Sequence, residues 1–352
     1  MIRRRTVMLL GAVTLAATAA AVAAVVERTA ETRTSVQAER PYPTLEARAG
    51  EVSQVRLERA ADAAPGTVTL TRRDADWVVE EKDGYPARTD LVRKLLFDLG
   101  QIELIERKTA DADRFGRLDL ADLAEKGSNA TRVVVAAGAG DPLVDVHVGK
   151  RRESLSGGKP MVYVRRTGEQ QTYLAEGELD LRGGPVQWLL REIVNVPRET
   201  IVAAQLTGAS GEVLRLERAG NDFRIVDLAE SRRVDSQYTV NNAATVVDRL
   251  LFDDVRSAQG LDFASGPGAG SFTTRDGLTV VLEMASDPAG DAQAAPWLRV
   301  VLSLAPEATE AARTFAEAAR ARTEGWAYRV SSFDLERLRA TAEALTKPAQ
   351  GS

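Results

Sequence analysis

Val68-Thr69-Leu70-Thr71-Arg72-Arg73-Asp74-Ala75-Asp76-Trp77-Val78-Val79 is the stretch that decides the fold. Val68 and Leu70 alternate with Thr69 and Thr71, the period of a half-buried strand. Arg72 to Asp76 turn the chain into a second strand, Trp77-Val78-Val79. Upstream, Val52, Val55 and Leu57 predict a strand, with Ala64-Pro65-Gly66 as the turn after it. Downstream, after Pro86, Leu91, Val92, Leu95, Leu96 and Leu99 recur at helical spacing and form one apolar face, with Gly100 closing the helix.

The same order returns in the second half. Ile201-Val202 opens a strand, Leu214 and Leu216 alternate, and Ala219-Gly220-Asn221-Asp222 turns the chain into Phe223-Arg224-Ile225-Val226. Val246, Val247, Leu250 and Leu251 predict the next helix, with Leu250-Leu251-Phe252-Asp253 aligned on Leu95-Leu96-Phe97-Asp98. Trp77 aligns with Phe223, which leaves extra residues in the second copy around Ser231 to Thr239. Arg56-Leu57-Glu58-Arg59-Ala60 is identical to Arg215-Leu216-Glu217-Arg218-Ala219, but matching them would place a first strand on a second strand. The identity is read as chance.

The remainder of each copy reads as a meander and a closing helix. In the first, strands are expected at Val133-Val135, Leu143-Val148, Met161-Arg165 and Thr172-Leu174, then a short helix over Val186-Val194. In the second they are expected at Leu278-Leu282, Trp297-Leu304 and Trp326-Val330, then a helix over Phe333-Leu345. An Ala-rich helix, Ala311-Arg322, has no counterpart in the first copy. The expected fold class is α+β: two tandem domains of antiparallel sheet plus helix, at 45–195 and 196–345.

Composition bounds the chemistry. The 352 residues carry 46 Lys+Arg against 51 Asp+Glu, a net charge of −5, which argues against non-specific nucleic-acid binding. With no cysteine, disulfides, thiol catalysis and cysteine-ligated metal are excluded. The single His147 excludes a multi-histidine metal site. Aromatic content of 5% weakens the case for a stacking cleft.

The N-terminus reads as a membrane segment. Val7 to Val26 is an uncharged, Ala-rich run preceded by Arg3-Arg4-Arg5 and succeeded by Glu27. Such a run is long enough to span a bilayer as a helix, and the arginines favour export of the remainder of the chain. A signal peptide cleaved after Ala21-Val22-Ala23 is the alternative. The expected layout is an anchor at 1–26 and a polar tether at 27–44, with the body in a bacterial periplasm.

Searches for reactive constellations return little. Gly149-Lys150 and Gly157-Gly158-Lys159 are only fragments of phosphate loops, and Gly266-Pro267-Gly268-Ala269-Gly270 reads as a flexible hairpin loop. Alternation in Val144-Asp145-Val146-His147-Val148 puts Asp145 and His147 on one face, where His147 is expected to be exposed. A catalytic pair there would need Ser154 or Ser156 as nucleophile. Asp111, Asp113, Asp119 and Asp122 stop short of a calcium loop and read as a polar loop. Lys150-Arg151-Arg152 and Arg165-Arg166 form a basic patch, read as a solvated sheet edge or as a surface for anionic lipid or an acidic partner. Trp77, Trp188, Trp297 and Trp326 are expected in the core. No catalytic, cofactor-binding or metal-ligating residue is assigned.

The N-terminal segment, Val68-Val79 with Trp77, Tyr85-Pro86-Ala87 leading into Leu91-Leu99, and Gly149-Lys150 with Tyr163-Val164-Arg165 after it together resemble the bacterial family called domain of unknown function 4340. The resemblance covers roughly residues 45 to 330. It departs in the second copy, where Phe223 replaces the Trp and Asn241-Asn242 replaces Pro86-Ala87. It implies a non-enzymatic accessory subunit beside ABC transporters of the gliding-motility type, held at the inner membrane by one helix next to a permease or its partner subunits. The alternatives are an envelope lipid- or glycan-binding module and, third, an envelope hydrolase. No cofactor is implied.

Overall fold

The computed structural model describes residues 35–153, 158–181, 183–287 and 294–349. The expected anchor, Val7 to Val26, lies outside the described residues. Among those described, no helix is long and apolar enough to cross a membrane. The two longest helices have 13 and 14 residues. At about 1.5 Å per residue they span roughly 20 Å, short of a hydrocarbon core of about 30 Å. The expectation of a membrane-spanning helix ahead of two domains is therefore corrected to an α+β chain built on two large antiparallel sheets. The single-pass inner-membrane topology, the periplasmic placement and the contact with a transporter permease through that helix are corrected likewise, since no helix among the described residues supplies them.

The first half contains β1 (Ser35–Glu39), α1 (Leu45–Arg48), β2 (Gln54–Glu58), β3 (Val68–Arg73), β4 (Asp76–Val79), β5 (Tyr85–Pro86) and α2 (Thr89–Gln101). Next come β6 (Glu103–Arg107), β7 (Thr131–Ala136), β8 (Val144–Arg152), β9 (Met161–Arg166) and β10 (Thr172–Glu176). Their sheet runs β1-β6-β10-β9-β8-β7-β2-β3-β4-β5. The second half contains β11 (Glu192–Val194), β12 (Ile201–Thr207), β13 (Val213–Ala219), β14 (Asp222–Ile225), β15 (Arg232–Val234), α3 (Gln237–Ala244) and β16 (Leu250–Ser257). Then come β17 (Ala269–Thr274), β18 (Leu278–Ala285), β19 (Trp297–Leu304), α4 (Glu310–Thr323), β20 (Trp326–Val330), α5 (Ser332–Leu338), α6 (Ala342–Leu345) and β21 (Thr346–Pro348). Their sheet runs β11-β16-β20-β19-β18-β17-β12-β13-β14, with β15 and β21 as a separate pair.

From β1 to β4 the two orders are the same, strand for strand. Trp77 and Phe223 occupy the second position of the equivalent strands β4 and β14, and both are buried. The identical pentapeptides fall on the non-equivalent strands β2 and β13.

Helix α2 has the predicted stripe. Val92, Leu95, Leu96 and Leu99 are buried while Arg93 and Lys94 are exposed. Each such leucine stabilises the unit by roughly 2 kcal/mol relative to an exposed one. The second copy differs from expectation at the matching place. Leu250-Leu251-Phe252-Asp253 is strand, not helix, because Leu250 and Phe252 are buried while Leu251 and Asp253 are exposed. The helix lies earlier, at α3, and Arg249 at φ +59° turns the chain into β16.

Three further readings are corrected. Val186–Val194 is a 3-10 turn at Pro185–Trp188 and then β11, not a helix. Phe333–Leu345 is broken into α5 and α6. The glycine loop at 266–270 runs directly into β17, where Phe272 and Thr274 are buried. It is closely packed, since a Cβ at Gly266 would collide with the Met284 carbonyl. Two strands had no apolar signal. β6 buries Leu104 alone among five residues, and β1 lies in the stretch read as tether.

The chain forms two compact units. The first holds the described residues through Val78 and Arg88–Pro185; the second holds Val79–Ala87 and the chain from Val186. The nine-residue segment Val79–Ala87 thus comes from the first half but belongs to the second unit. Tyr85 is 2% exposed there, its ring meeting Trp326 edge-on at 4.8 Å and Phe252 at 5.5 Å. Lys82 pairs with Asp254 at 2.5 Å, and Asp83 accepts from the Ser257 N–H at 2.8 Å.

Candidate functional site

The polar residues singled out in the sequence converge on β8 and β9, which are interior strands of the first sheet. The reading of Lys150-Arg151-Arg152 and Arg165-Arg166 as a sheet edge is corrected accordingly. His147 is also not exposed. Only 4% of it is accessible, because the excursion between β6 and β7 covers its face of the sheet. Arg165, its register partner on β9, shows how. Its guanidinium donates to the Leu120 carbonyl at 3.1 Å, pairs with Asp122 at 2.5 Å and lies 4.7 Å from the centre of the Phe115 ring.

Asp145 does not orient His147. It takes two hydrogen bonds from Arg132, at 2.8 and 2.6 Å, and another at 2.5 Å from the Thr167 hydroxyl. Burial pushes the Asp145 carboxyl up, but these donors outweigh burial and hold it below the usual carboxylate range. Burial, and then the charge of Arg165, pushes the His147 imidazole below its ordinary pKa. Its Nδ1 is buried without a hydrogen-bond partner. The nucleophile candidates Ser154 and Ser156 lie outside the described residues.

The aspartate run is divided between structural tasks. Asp111 accepts from the Asp113 N–H at 3.2 Å and caps a 3-10 turn, Asp119 adopts φ +56°, and Asp122 holds Arg165. Among the described residues no group of three acidic or histidine side chains is placed to hold a metal. Trp77, Trp188 and Trp297 are buried, and Trp326 is half-buried.

Beside β8, in the first unit, lies a pocket of about 550 Å³. Its lining is mixed: Ala64 and Pro65 are its exposed apolar residues, Ala130, Val148, Leu179 and Leu181 lie buried behind it, and Arg59, Lys150 and Arg151 bring cations to it. Gly149 brings strand and turn together. A Cβ there would collide with the Leu118 carbonyl oxygen and come within 2.9 Å of the Asp119 carbonyl oxygen. The ladder between β8 and β9 shifts register between Val148 and Arg151, so the basic run departs from simple alternation.

The three cations differ in how they are held. Arg59 donates to the carbonyls of Gly66, Leu181 and Gly183 and has no ion pair among the described residues. Burial pushes its guanidinium below its ordinary pKa. Lys150 donates to the Arg117 carbonyl at 2.9 Å and approaches Asp119 only to 3.8 Å. Arg151 approaches Glu178 and Asp180 to 3.7 and 3.9 Å, and its Nη1 is buried without a hydrogen-bond partner. The sequence marked Lys150 and Arg151 but missed Arg59, which looks like one more surface arginine.

The second unit has an apolar groove of about 620 Å³ between α3 and α5–α6. Tyr238, 70% exposed, and Phe333, 55% exposed, stand at it.

An α+β protein with a repeated nine-strand order and a cationic pocket is thereby defined. Residues 77–271, more than half of the chain, match the family described as Domain of unknown function (DUF4340), and the chain belongs to that family. No curated protein and no solved structure matches it. The transporter-accessory role expected with the anchor is corrected on the same ground: neither the comparisons nor the described fold supplies a membrane anchor or a transporter partner.

Proposed function

We propose that this chain is a non-enzymatic binding protein that holds a small molecule in the first-unit pocket. The observation that carries this reading is the construction of the pocket: 550 Å³, within the size of ligand sites, with a mixed lining in which Arg59, Lys150 and Arg151 converge. Its charged donors are suited to holding rather than to chemistry. A guanidinium stays protonated and relays no proton, and Arg59 is tied to three backbone carbonyls. The steric demand at Gly149 keeps strand and turn in close apposition and shapes the site.

Asn129→Trp tests the reading, because Asn129 is an exposed lining residue whose enlargement fills the site without entering the core. Small-molecule binding monitored by backbone amide NMR should move resonances of Ala130, Val148 and Gly149 in the natural chain and leave them still in the variant. A ligand panel that moves none of these resonances in the natural chain removes the proposal.

A further inference from the structure

We infer that the first-unit pocket selects an organic anion, a carboxylate or phosphate monoester on an apolar body, through Arg151 and Lys150 with Arg59 behind them. This rests on the pocket being a binding site. It adds the ligand's charge and the residues that read it.

Arg59 is half-buried, is satisfied only by carbonyl oxygens and has no carboxylate to neutralise it among the described residues. Carbonyls satisfy its hydrogen bonds but leave a net positive charge in a partly desolvated place, where electrostatic interactions are strengthened.

Arg151 has donor capacity left. A buried donor without a partner costs on the order of 1–3 kcal/mol, and Arg151, a lining residue, holds one at Nη1, which is closed to solvent in the unliganded chain. The carboxylates of Glu178 and Asp180 lie beyond hydrogen-bond distance and are about half exposed, so they screen the guanidinium without saturating it. Lys150 spends one of its three donors on the Arg117 carbonyl, and its approach to Asp119 is likewise too long for a hydrogen bond.

Among the lining side chains the three cations outnumber the carboxylates Asp119 and Glu153 by one, with Glu178 and Asp180 outside the lining beside Arg151. An anionic head facing Arg151 and Lys150 would take the unspent donors in charge-assisted hydrogen bonds. Ala63, Ala64 and Pro65, the accessible apolar residues of the lining, would meet an apolar body.

The test uses the full chain and three probes of one shape: benzoate, phenyl phosphate and the neutral benzamide. Amide NMR titration reports both affinity and place. At least one anion is expected to bind about tenfold or more tighter than benzamide, the order expected when one charge-assisted contact is lost. Benzoate ahead of phenyl phosphate assigns a carboxylate, and the reverse assigns a phosphate monoester. Arg151→Gln and Lys150→Gln, each checked for an unchanged melting curve, should each abolish the preference while leaving benzamide unaffected. Two variants keep the test open should one fail to fold. Benzamide binding in the pocket as tightly as the anions overturns the inference and leaves the binding function standing. No probe moving any pocket resonance overturns both.

Discussion

The backbone N–H of Phe223 donates to Asn241 Oδ1 at 2.9 Å. The carbonyl of the same residue accepts from Gln237 Nε2 at 2.7 Å, and Asn241 Nδ2 reaches Asp222 at 2.8 Å. Phe223 lies in β14, the last strand of the second sheet, so two side chains of α3 occupy the hydrogen-bonding groups that face away from β13. Side chains thereby cover the edge of the second sheet against the hazard of an open strand.

The Gln237→Ala, Asn241→Ala double variant should therefore melt earlier and self-associate. Losing these bonds should cost about 1–2 kcal/mol, read by urea denaturation. Sedimentation velocity over a concentration series should show stronger association than in the natural chain. A folded variant with the same sedimentation behaviour as the natural chain would show that the pair does not guard the edge.

Gly149→Ala should destabilise the first unit by about 3 kcal/mol, because the added methyl meets main-chain oxygens of residues 118 and 119 that no side-chain rotation can move. Chemical denaturation reads the loss. A change under about 0.5 kcal/mol, the range of an ordinary surface substitution, would mean that the turn yields.

Stability should fall on acidification through His147. Its folded pKa lies below its unfolded value of about 6.5, so the unfolded chain takes up the proton first and stability rises with pH. The contribution is complete above about pH 6.5 and is lost as the pH falls from there towards the folded value. Arg165, Arg132, Asp122 and Asp145 surround the ring electrostatically, and the two arginines disfavour its protonation. His147→Gln should flatten the melting temperature between pH 7 and pH 5 relative to the natural chain. An unchanged slope would place the pH dependence on other groups.

Tyr85→Ala should damage the second unit although Tyr85 belongs to the first half of the chain. Removing a buried aromatic costs about 3–5 kcal/mol, and Trp326 fluorescence reports it because that ring meets Tyr85 at 4.8 Å. Loss confined to the first unit, with the Trp326 signal intact, would contradict the assignment of Val79–Ala87.

Much of the fold is legible in the sequence where burial is one-sided. Val68 and Leu70 against Thr69 and Thr71 give a strand, and α2 shows its stripe. The errors fall where four residues suit two periods. Leu-Leu-Phe-Asp is helical at 95–98 and extended at 250–253, told apart by burial: Leu96 is buried and Phe97 exposed in the helix, Leu251 exposed and Phe252 buried in the strand. β6 escapes notice because charged residues dominate it. The candidate site is half legible: Lys150 and Arg151 stand out as a basic run, but alternation alone cannot see the 111–130 excursion that buries His147. Arg59 acquires meaning only through carbonyls more than a hundred residues away, at Leu181 and Gly183.

The placement of Val79–Ala87 makes the duplicated halves inseparable as linear pieces. A ribosome emits Tyr85 early, yet its ring partner Trp326 emerges roughly 240 residues later, so this pairing closes a very long loop and suits a late step of folding. Until then an aromatic side chain waits without its pocket. A recombinant fragment beginning at Val186 would carry the socket without its plug, so shuffling such units by cutting between the halves would discard part of a core with every exchange.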